Sequence, residues 1–350
     1  LLSVTTRYEL SRKELAELLD GEPKYRVDQV WDGLYSQCKE PHEITNVPKQ
    51  LRTAFSELLP AALTLVRETE ADKGATVKQL WSLPDGLLVE SVIMHYRHRS
   101  TVCVSSQAGC AMGCSFCATG QVGFDRNLTT GEIVEQVIRS SQRAGDKRID
   151  NIVFMGMGEP LANFDSVWNA VTRINSDMGI GARHITMSTV GVVPGIKRLA
   201  NEDLPINLAV SLHSANDQTR NKIAPINKTY PLRELADALQ FYMRQKTRRI
   251  SFEWAMIEGV NDSDTDARQL ASYSLPLRAH VNLIPLNATP GYQTRGTDPK
   301  RILEFRDLLE SLGVNATVRN TRGSDIDAAC GQLRAEQQVV LKPRRSAKSA

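Results

Sequence analysis

The sequence contains no long apolar segment, no strong net charge and few cysteines. No run of about 18 apolar residues, the length that crosses a membrane, occurs in its 350 residues, so we expect no membrane partner. The net charge of +3 permits a nucleic-acid partner without arguing for one, because a whole-chain average hides local patches. Hydrophobic residues make up 41% and charged residues 24%, which is typical of a soluble chain with one large and one smaller domain.

The beginning of the chain carries no targeting pattern. Its first residues, Leu-Leu-Ser-Val-Thr-Thr-Arg, lack the basic start and apolar core of a secretion signal. Because the chain starts with Leu1 and not Met, we expect the natural start to lie upstream. Its six cysteines show no obvious pairing and fit a reducing compartment, so we expect a cytoplasmic protein.

Three of the six cysteines lie within eight residues, Cys110-Ala-Met-Gly-Cys114-Ser-Phe-Cys117. Three thiolates on one short loop can bind three irons of a four-iron, four-sulfur cluster and leave the fourth iron open for chemistry. A zinc site is the competing interpretation. It needs four ligands, and His95 or His98 could supply the fourth from upstream. A disulfide framework is not expected, because three cysteines this close cannot all pair.

The first hundred residues predict two small modules. Residues 1–60 have helical periodicity, and Ser11 with Glu14 forms a capping-box pattern before an apolar run. Residues 61–105 have strand periodicity, with Pro84-Asp85-Gly86 as a turn between two of the strands. We therefore expect a small N-terminal helical domain followed by a short antiparallel β extension.

Residues 106–333 alternate between short apolar runs and helical patterns, with strands expected at 152–155, 184–187, 206–210, 250–254 and 280–284. Repeated β-α units predict an α/β fold with a parallel sheet, here a partial (β/α) barrel whose active site lies at the carboxyl ends of the strands. The polar, basic tail, residues 334–350, is expected to be disordered.

Polar groups and glycines follow several of the predicted strands. Each alone is more typical of an ordinary turn or a structural hydrogen bond, but together they favour a ligand site: Gly158 and Glu159 in one turn, Ser188, Ser211 with Leu212 and His213, and Asn287. Two further cysteines stand apart from the loop. Cys103 precedes it by seven residues, and Cys330 lies in a polar segment that favours an exposed, reactive thiol.

Seven separated motifs, in order along nearly the whole chain, resemble the RlmN/Cfr family of radical S-adenosylmethionine (SAM) RNA methyltransferases, and RlmN more than Cfr. They are Cys103-Val-Ser-Ser-Gln-Ala-Gly-Cys110, the cysteine loop, Gly123-Phe-Asp-Arg-Asn-Leu128, Gly156-Met-Gly-Glu-Pro-Leu161, Ser211-Leu-His-Ser214, Pro225-Ile-Asn-Lys228 and Arg322-Gly-Ser-Asp-Ile-Asp-Ala-Ala-Cys-Gly-Gln-Leu333.

The resemblance implies a cofactor set and a role for each matching residue. It implies one [4Fe-4S] cluster on Cys110, Cys114 and Cys117, and SAM. Cys330 would carry a methyl group, Cys103 would resolve a covalent intermediate by forming a disulfide with it, and Glu90 would handle a proton. The SAM contacts implied are Gly158, Glu159, Ser188, Ser211, Leu212, His213 and Asn287.

The resemblance also implies substrates and partners. The reaction would be methylation of adenine carbon 2 in 23S ribosomal RNA, and also in transfer RNA, by a monomer that receives electrons from a flavodoxin or ferredoxin. Three alternatives remain open: a Cfr-type enzyme acting on adenine carbon 8 and conferring antibiotic resistance, a radical SAM enzyme acting on a small molecule, and a zinc-stabilised RNA-binding module.

Overall fold

The computed structural model describes residues 6–287, 289, 295–319, 323–329 and 331–333, and its first elements are three helices. They are α1 (Arg12–Leu18), α2 (Tyr25–Tyr35) and α3 (Lys49–Leu58). The predicted capping box is confirmed: Ser11 Oγ accepts the Glu14 N–H at 3.2 Å, and Glu14 accepts the Ser11 N–H at 2.7 Å. These two bonds satisfy N–H groups that a helix start leaves unpaired.

The expected β extension is present as an antiparallel meander. Its strands are β1 (Thr64–Ala71), β2 (Thr76–Ser82) and β3 (Leu88–His95). The predicted turn joins β2 to β3, where Gly86 adopts a φ of 82° and donates its N–H to the Leu83 carbonyl at 2.9 Å. A residue with a Cβ would be strained in that conformation.

One ten-stranded sheet contains both the extension and the core. β4 (Ser100–Cys103) pairs antiparallel with β3 and parallel with the strand Ile149–Phe154, so the meander continues directly into the parallel strands. These strands follow in chain order, which gives a series of β-α units: β7 (Ile149–Phe154), β8 (Ile185–Thr189), β9 (Asn207–Ser211), β10 (Ser251–Met256), β11 (His280–Pro285) and β12 (Ala316–Val318).

The parallel part curves around an inner space, as a partial barrel requires. Side chains of five strands, β7 to β11, line one cavity near the amino ends of those strands. The strand order runs from β1 to β12, with no pairing between these two edge strands among the described residues, so the barrel is partial. The sequence did not predict β12 or the separate hairpin of β5 (Gln107–Gly109) and β6 (Phe124–Asn127).

Helices connect the strands. The pair Asp298-Pro299 predicts a helix start and Gly313 a helix end. Both are confirmed, since Asp298 accepts the Lys300 N–H at 2.9 Å and Gly313 follows the helix with a φ of 87°. The helices of this part are α4 (Ala118–Val122), α5 (Thr130–Ala144), α6 (Phe164–Ser176), α7 (Val193–Ala200), α8 (Asp217–Ile223), α9 (Leu232–Gln245), α10 (Asp264–Ser274) and α11 (Pro299–Ser311).

The N-terminal helices share their core with the sheet. Tyr8, Leu15 and Trp31 belong to the same cluster of buried apolar side chains as the barrel residues. A carboxylate ties the two parts together, because Glu40 accepts a hydrogen bond from Arg7 and another from Arg139 of α5, each at 2.6 Å. None of the helices in the described ranges has the length and apolarity needed to cross a membrane.

Candidate active site

The cysteine loop lies between β5 and α4. Cys110 directly follows β5 and donates its N–H to the Gly123 carbonyl at 2.7 Å, and Cys117 is the cap residue of α4. Gly120 in α4 lies against the loop so closely that a Cβ there would be 3.0 Å from the backbone N and O of Cys114. The loop is therefore fixed by backbone contacts on both sides.

The three cysteines of this loop are half-buried. Burial raises the pKa of Cys110 to about 12. Burial also raises the pKa of Cys114, and the neighbouring thiols of Cys117 and Cys110 raise it further. Alone, these thiols hold their protons, so a metal that binds them must displace protons.

Within the described ranges, no group of three Cys, His, Asp or Glu side chains lies close enough together to hold a metal ion. The zinc alternative would also need a fourth ligand beside the three cysteines. The alternative fourth ligands lie elsewhere: His95 ends β3, with Nδ1 2.9 Å from Ser100 Oγ at the start of β4, and His98 lies between these strands.

One open cleft brings the cysteines and most of the predicted SAM contacts together. The empty volume of about 1010 Å³ includes part of the open solvent at its mouth. The predicted site residues that line it are Cys110, Cys114, Cys117, Gly158, Glu159, Ser188, Ser211, His213 and Asn287. The carboxyl ends of β7, β8, β9 and β11 supply the polar groups, as the barrel topology predicts.

The turn after β7 needs glycine at two positions. A Cβ on Gly156 would lie 2.6 Å from the Val104 carbonyl oxygen. Gly158 has a φ of 98°, and a Cβ on it would lie 2.5 Å from the Cβ of Gln107. The turn can therefore pack directly on the chain between β4 and β5, and this contact places Glu159 in the cleft.

Glu159 is held rigidly and titrates near neutral pH. Its Oε1 accepts the Leu161 N–H at 3.0 Å, and its Oε2 accepts the Val190 N–H at 2.8 Å. Burial raises the pKa of Glu159 to about 7 despite these bonds, which lower it. Each oxygen keeps a second lone pair, and a ligand ammonium group nearby would stabilise the ionised form.

His213 is a neutral donor. Its Nδ1 accepts the Ala255 N–H at 3.0 Å, which assigns the ring proton to Nε2. Burial, with the charge of Arg220, lowers the pKa of His213 to about 3. His213 is thus uncharged in the physiological range and can orient a ligand but not protonate it. At the same edge of the sheet, the hydroxyl oxygens of Ser188 and Ser211 lie 3.4 Å apart.

Leu212 is placed differently from the other predicted contacts. Its side chain is fully buried, and it is not among the described residues that line the cleft. Its N–H donates to the Glu253 carbonyl at 3.0 Å, and its carbonyl accepts from Arg220 Nε at 3.0 Å. Its predicted contact with SAM stays a prediction.

Glu90 and Cys103 share one face of the sheet with Lys78. Val92 is the register partner of Lys78 on β2 and of Cys103 on β4, and Glu90 is two residues from Val92 on the same strand. Register partners and residues two apart lie on the same face. Lys78 Nζ lies 3.5 Å from Glu90 Oε1, and both side chains are buried. Neither Glu90 nor Cys103 is among the described residues that line the cleft.

The described part of the C-terminal segment contacts both this face and the cysteine loop. Lys78 Nζ donates to the Asp327 carbonyl at 3.4 Å, and Ala118 of α4 donates its N–H to the Gly331 carbonyl at 2.7 Å. Cys330 lies outside the described residues, as does the tail 334–350. Its predicted role as methyl carrier, and its predicted disulfide with Cys103, therefore stay predictions.

Sequence reasoning missed several residues that hold the site. Ser105 donates to the Glu90 carbonyl at 2.6 Å and accepts the Met157 N–H at 2.9 Å, so one hydroxyl links the sheet to the turn after β7. Gln107 accepts the Glu159 N–H at 2.8 Å. Both lie in the motif Cys103–Cys110, where the only chemical signal in the sequence is the pair of cysteines.

Comparison with known proteins gives a consistent result. Residues 104–271 match the radical SAM superfamily. A Chloroflexus aurantiacus protein named "Probable dual-specificity RNA methyltransferase RlmN" is 45% identical over 95% of this chain and 94% of its own length. A protein of the same name from Frankia casuarinae is 47% identical over 99% of this chain and 84% of its own.

A solved structure is similar over almost the same range. The crystal structure of a radical SAM methyltransferase from Sphaerobacter thermophilus covers 95% of this chain and 100% of its own, with 46% identity and a TM-score of 0.92. The similarity extends beyond residues 104–271 and so includes most of the helices and strands outside the superfamily core.

We predict that Lys78 and Glu90 stabilise the fold as a pair. Lys78→Met removes the cation 3.5 Å from the buried Glu90 carboxylate and should cost about 3–5 kcal/mol of unfolding free energy. Glu90→Gln should also destabilise, and the double variant should cost less than the sum of the two. Denaturant unfolding of the three variants measures this coupling. Strictly additive losses would contradict the pairing. The exposed pair Lys300 and Glu304 is the control and should show no measurable coupling.

We also predict that SAM binding depends on the ionisation of Glu159. Its pKa of about 7 means that it is mostly protonated at pH 6 and mostly ionised at pH 8. Because only the ionised form attracts an ammonium group, affinity should fall about tenfold from pH 8 to pH 6. Anaerobic calorimetry with the oxidised protein measures the change. Glu159→Gln should flatten the profile, whereas the exposed Asp165→Asn should not. An unchanged slope in the Gln variant would refute the assignment.

Proposed function

The chain belongs to the RlmN family of radical SAM RNA methyltransferases, and on that premise we propose that it methylates carbon 2 of an adenine in 23S ribosomal RNA and in transfer RNA. The observation that carries this proposal is the 45% identity, over 95% of the chain, to a relative named as a dual-specificity RNA methyltransferase. This similarity extends over segments on both sides of residues 104–271, the part that matches the radical SAM superfamily.

The donor set of the cleft fits a cluster and SAM. The cluster would be held by Cys110, Cys114 and Cys117, and SAM by the polar strand ends that line the same cleft, with Glu159 available to its ammonium group. Bound there, they would supply an electrophilic methyl group from one SAM molecule and a carbon-centred radical from a second. The protein would bind and orient them and carry the methyl group from SAM to the adenine.

A methyl carrier is needed because carbon 2 of adenine is electron-poor and cannot attack an electrophilic methyl group. In the proposed reaction the thiolate of Cys330 accepts the methyl group by nucleophilic displacement. This methyl group then gives a hydrogen atom to the SAM-derived radical. Its carbon, still attached to the sulfur of Cys330, bonds to carbon 2 of the ring. Protein and RNA are then joined through the sulfur of Cys330. The adenine must leave its stack to reach this position.

Two further residues complete the proposed reaction. The adduct then loses one electron, for which the oxidised cluster would be the acceptor, and Glu90 takes the ring proton as general base. The thiolate of Cys103 then attacks the sulfur of Cys330. As the S–S bond forms, the S–C bond breaks, and its electron pair with a proton completes the methyl group of the product. The placement of Glu90 and Cys103 on one sheet face supports these linked roles.

The proposal includes the setting of the enzyme. We propose that it works as a cytoplasmic monomer and receives electrons from a flavodoxin or ferredoxin. Basic residues around the cleft and on the N-terminal helices would contact phosphates and position the RNA, while contacts inside the cleft choose the base.

We predict that the protein forms 2-methyladenosine. RNA from a strain that lacks its own adenine-C2 methyltransferase, with and without this gene, is digested to nucleosides and analysed by mass spectrometry against both methyladenosine standards. Cys114→Ala should abolish the product, because it removes a cluster ligand. Cys38→Ala is the matched control, since Cys38 lies in the N-terminal part with its thiol directed to the Tyr35 carbonyl at 3.5 Å.

Other products of this experiment have defined meanings. 8-methyladenosine would show Cfr-type chemistry and refute the carbon 2 assignment. Adenosine without any added methyl group, from cells that contain soluble protein with its cluster, would refute an RNA substrate and favour a small-molecule one.

We predict different failures for the two isolated cysteines. Cys330→Ala removes the methyl carrier, so no methylated RNA should form. Cys103→Ala leaves the carrier and the radical step but removes the resolving thiol, so the protein–RNA adduct should accumulate. A denaturing gel with labelled RNA detects the adduct, and Cys38→Ala should give none. The mechanism is wrong for this protein if the Cys103 variant turns over normally or the Cys330 variant still methylates RNA.

A further inference from the structure

Arg220 is a fully buried cation behind the cleft, and the proposed reaction does not use its charge. It belongs to α8, and among the described residues its guanidinium donates to neutral acceptors only. Nε donates to the Leu212 carbonyl at 3.0 Å, Nη1 to Asn227 Oδ1 at 2.8 Å, and Nη2 to the Val190 carbonyl at 2.5 Å. These bonds engage three of its five N–H hydrogens but do not neutralise its charge.

The nearest carboxylate in this network is one amide group away. Asn227 Nδ2 donates to Asp217 Oδ1 at 2.8 Å, so Asn227 stands between the carboxylate and Arg220. Asp217 is also engaged by the Leu232 N–H at 3.0 Å. A charge buried without direct compensation is costly, and most buried arginines contact a carboxylate directly. Asp217 therefore balances the charge of Arg220 only indirectly, and a more direct counter-ion would have to lie on the side of Arg220 away from Asn227.

That other side is the cysteine loop. The last residue of α8, Ile223, accepts the Ser115 N–H at 3.1 Å, so the helix that carries Arg220 ends against the loop. Cys114 packs on Ile223 and Ala224 in one apolar cluster. The charge of Arg220 also reaches the Cys114 thiol: burial and the neighbouring thiols raise the pKa of Cys114, whereas Arg220 lowers it.

We propose that Arg220 is the fixed counter-charge of the iron–sulfur cluster held by Cys110, Cys114 and Cys117, and that it favours the reduced cluster. The inference rests on the proposed cofactor. Reduction adds one negative charge to a cluster already ligated by three thiolates. A cation fixed nearby in a buried, weakly screened environment stabilises the more negative state more strongly. Arg220 thereby makes the electron transfer that starts the reaction more favourable.

A purely structural role is the competing account. The same hydrogen bonds join the end of β8, at Val190, to the end of β9, at Leu212. Both accounts expect Arg220 variants to lose activity, so activity cannot separate them. We call this joining of the two strand ends the clamp. Two variants separate the charge from the clamp. Arg220→Lys keeps the cation but cannot reproduce the planar fork of donors, whereas Arg220→Gln removes the cation.

The experiment is a redox titration of the anaerobically purified, cluster-containing protein, followed by electron paramagnetic resonance. Arg220→Gln should show at least about tenfold less reduced cluster than the wild type at a fixed potential, which for one electron corresponds to a midpoint about 59 mV lower. Arg220→Lys should stay close to the wild type. Arg306→Gln, at a partly exposed arginine on α11, is the control and should not change the midpoint.

Each outcome decides between charge and clamp. If the Gln variant retains no cluster while the Lys variant does, the requirement for charge is supported. If both lose the cluster equally, or both keep the wild-type midpoint, the proposal is overturned and Arg220 is a clamp. A wild-type protein that binds no cluster would instead refute the proposed function itself, and the metal content of the wild type distinguishes the two failures.

Discussion

Hydrogen bonds between the carboxyl ends of neighbouring parallel strands hold the candidate site together. Val190, just beyond β8, donates its N–H to Glu159 in the turn after β7 and accepts from Arg220, which also binds the Leu212 carbonyl beyond β9. The strand ends thus form one connected network and not three separate turns. A ligand in the cleft meets groups whose partners are already fixed, so little ordering cost remains for the binding step.

The continuity of the sheet has a second consequence for chemistry. Because β4 pairs with the meander on one side and the barrel on the other, Cys103 belongs to the barrel while Lys78 and Glu90 come from the extension. The extension therefore contributes a buried ion pair to the sheet face that carries Cys103 and is not only an addition at the edge. The bond from Lys78 to Asp327 brings the described part of the C-terminal segment to the same face.

Local sequence signals predicted local structure, but they did not predict contacts between segments that are distant in the sequence. The Ser11 capping box, the turn at Gly86 and the cap at Asp298 each depend on residues a few positions apart, and all three are confirmed. The strand periodicity also located the polar strand ends. The roles of Lys78, Ser105 and Arg220 depend on register and on contacts across many residues. No periodicity marks them, and in β2 and β3 nearly every residue is buried, so alternation gives no sign of which face is reactive.

The ionisable groups of the cleft balance one another only in part, and this imbalance indicates the kind of ligand the site suits. Glu159 is buried with N–H donors and, within the described ranges, without a cation in contact, and its pKa is about 7. Arg220, behind the cleft, is buried with carbonyl acceptors, and no carboxylate among the described residues contacts it directly. His213 is neutral and adds no charge. One side of the cleft therefore favours a cation and the other an anion. An amino-acid ammonium group beside Glu159 and a thiolate-ligated cluster beside Arg220 satisfy both requirements at once.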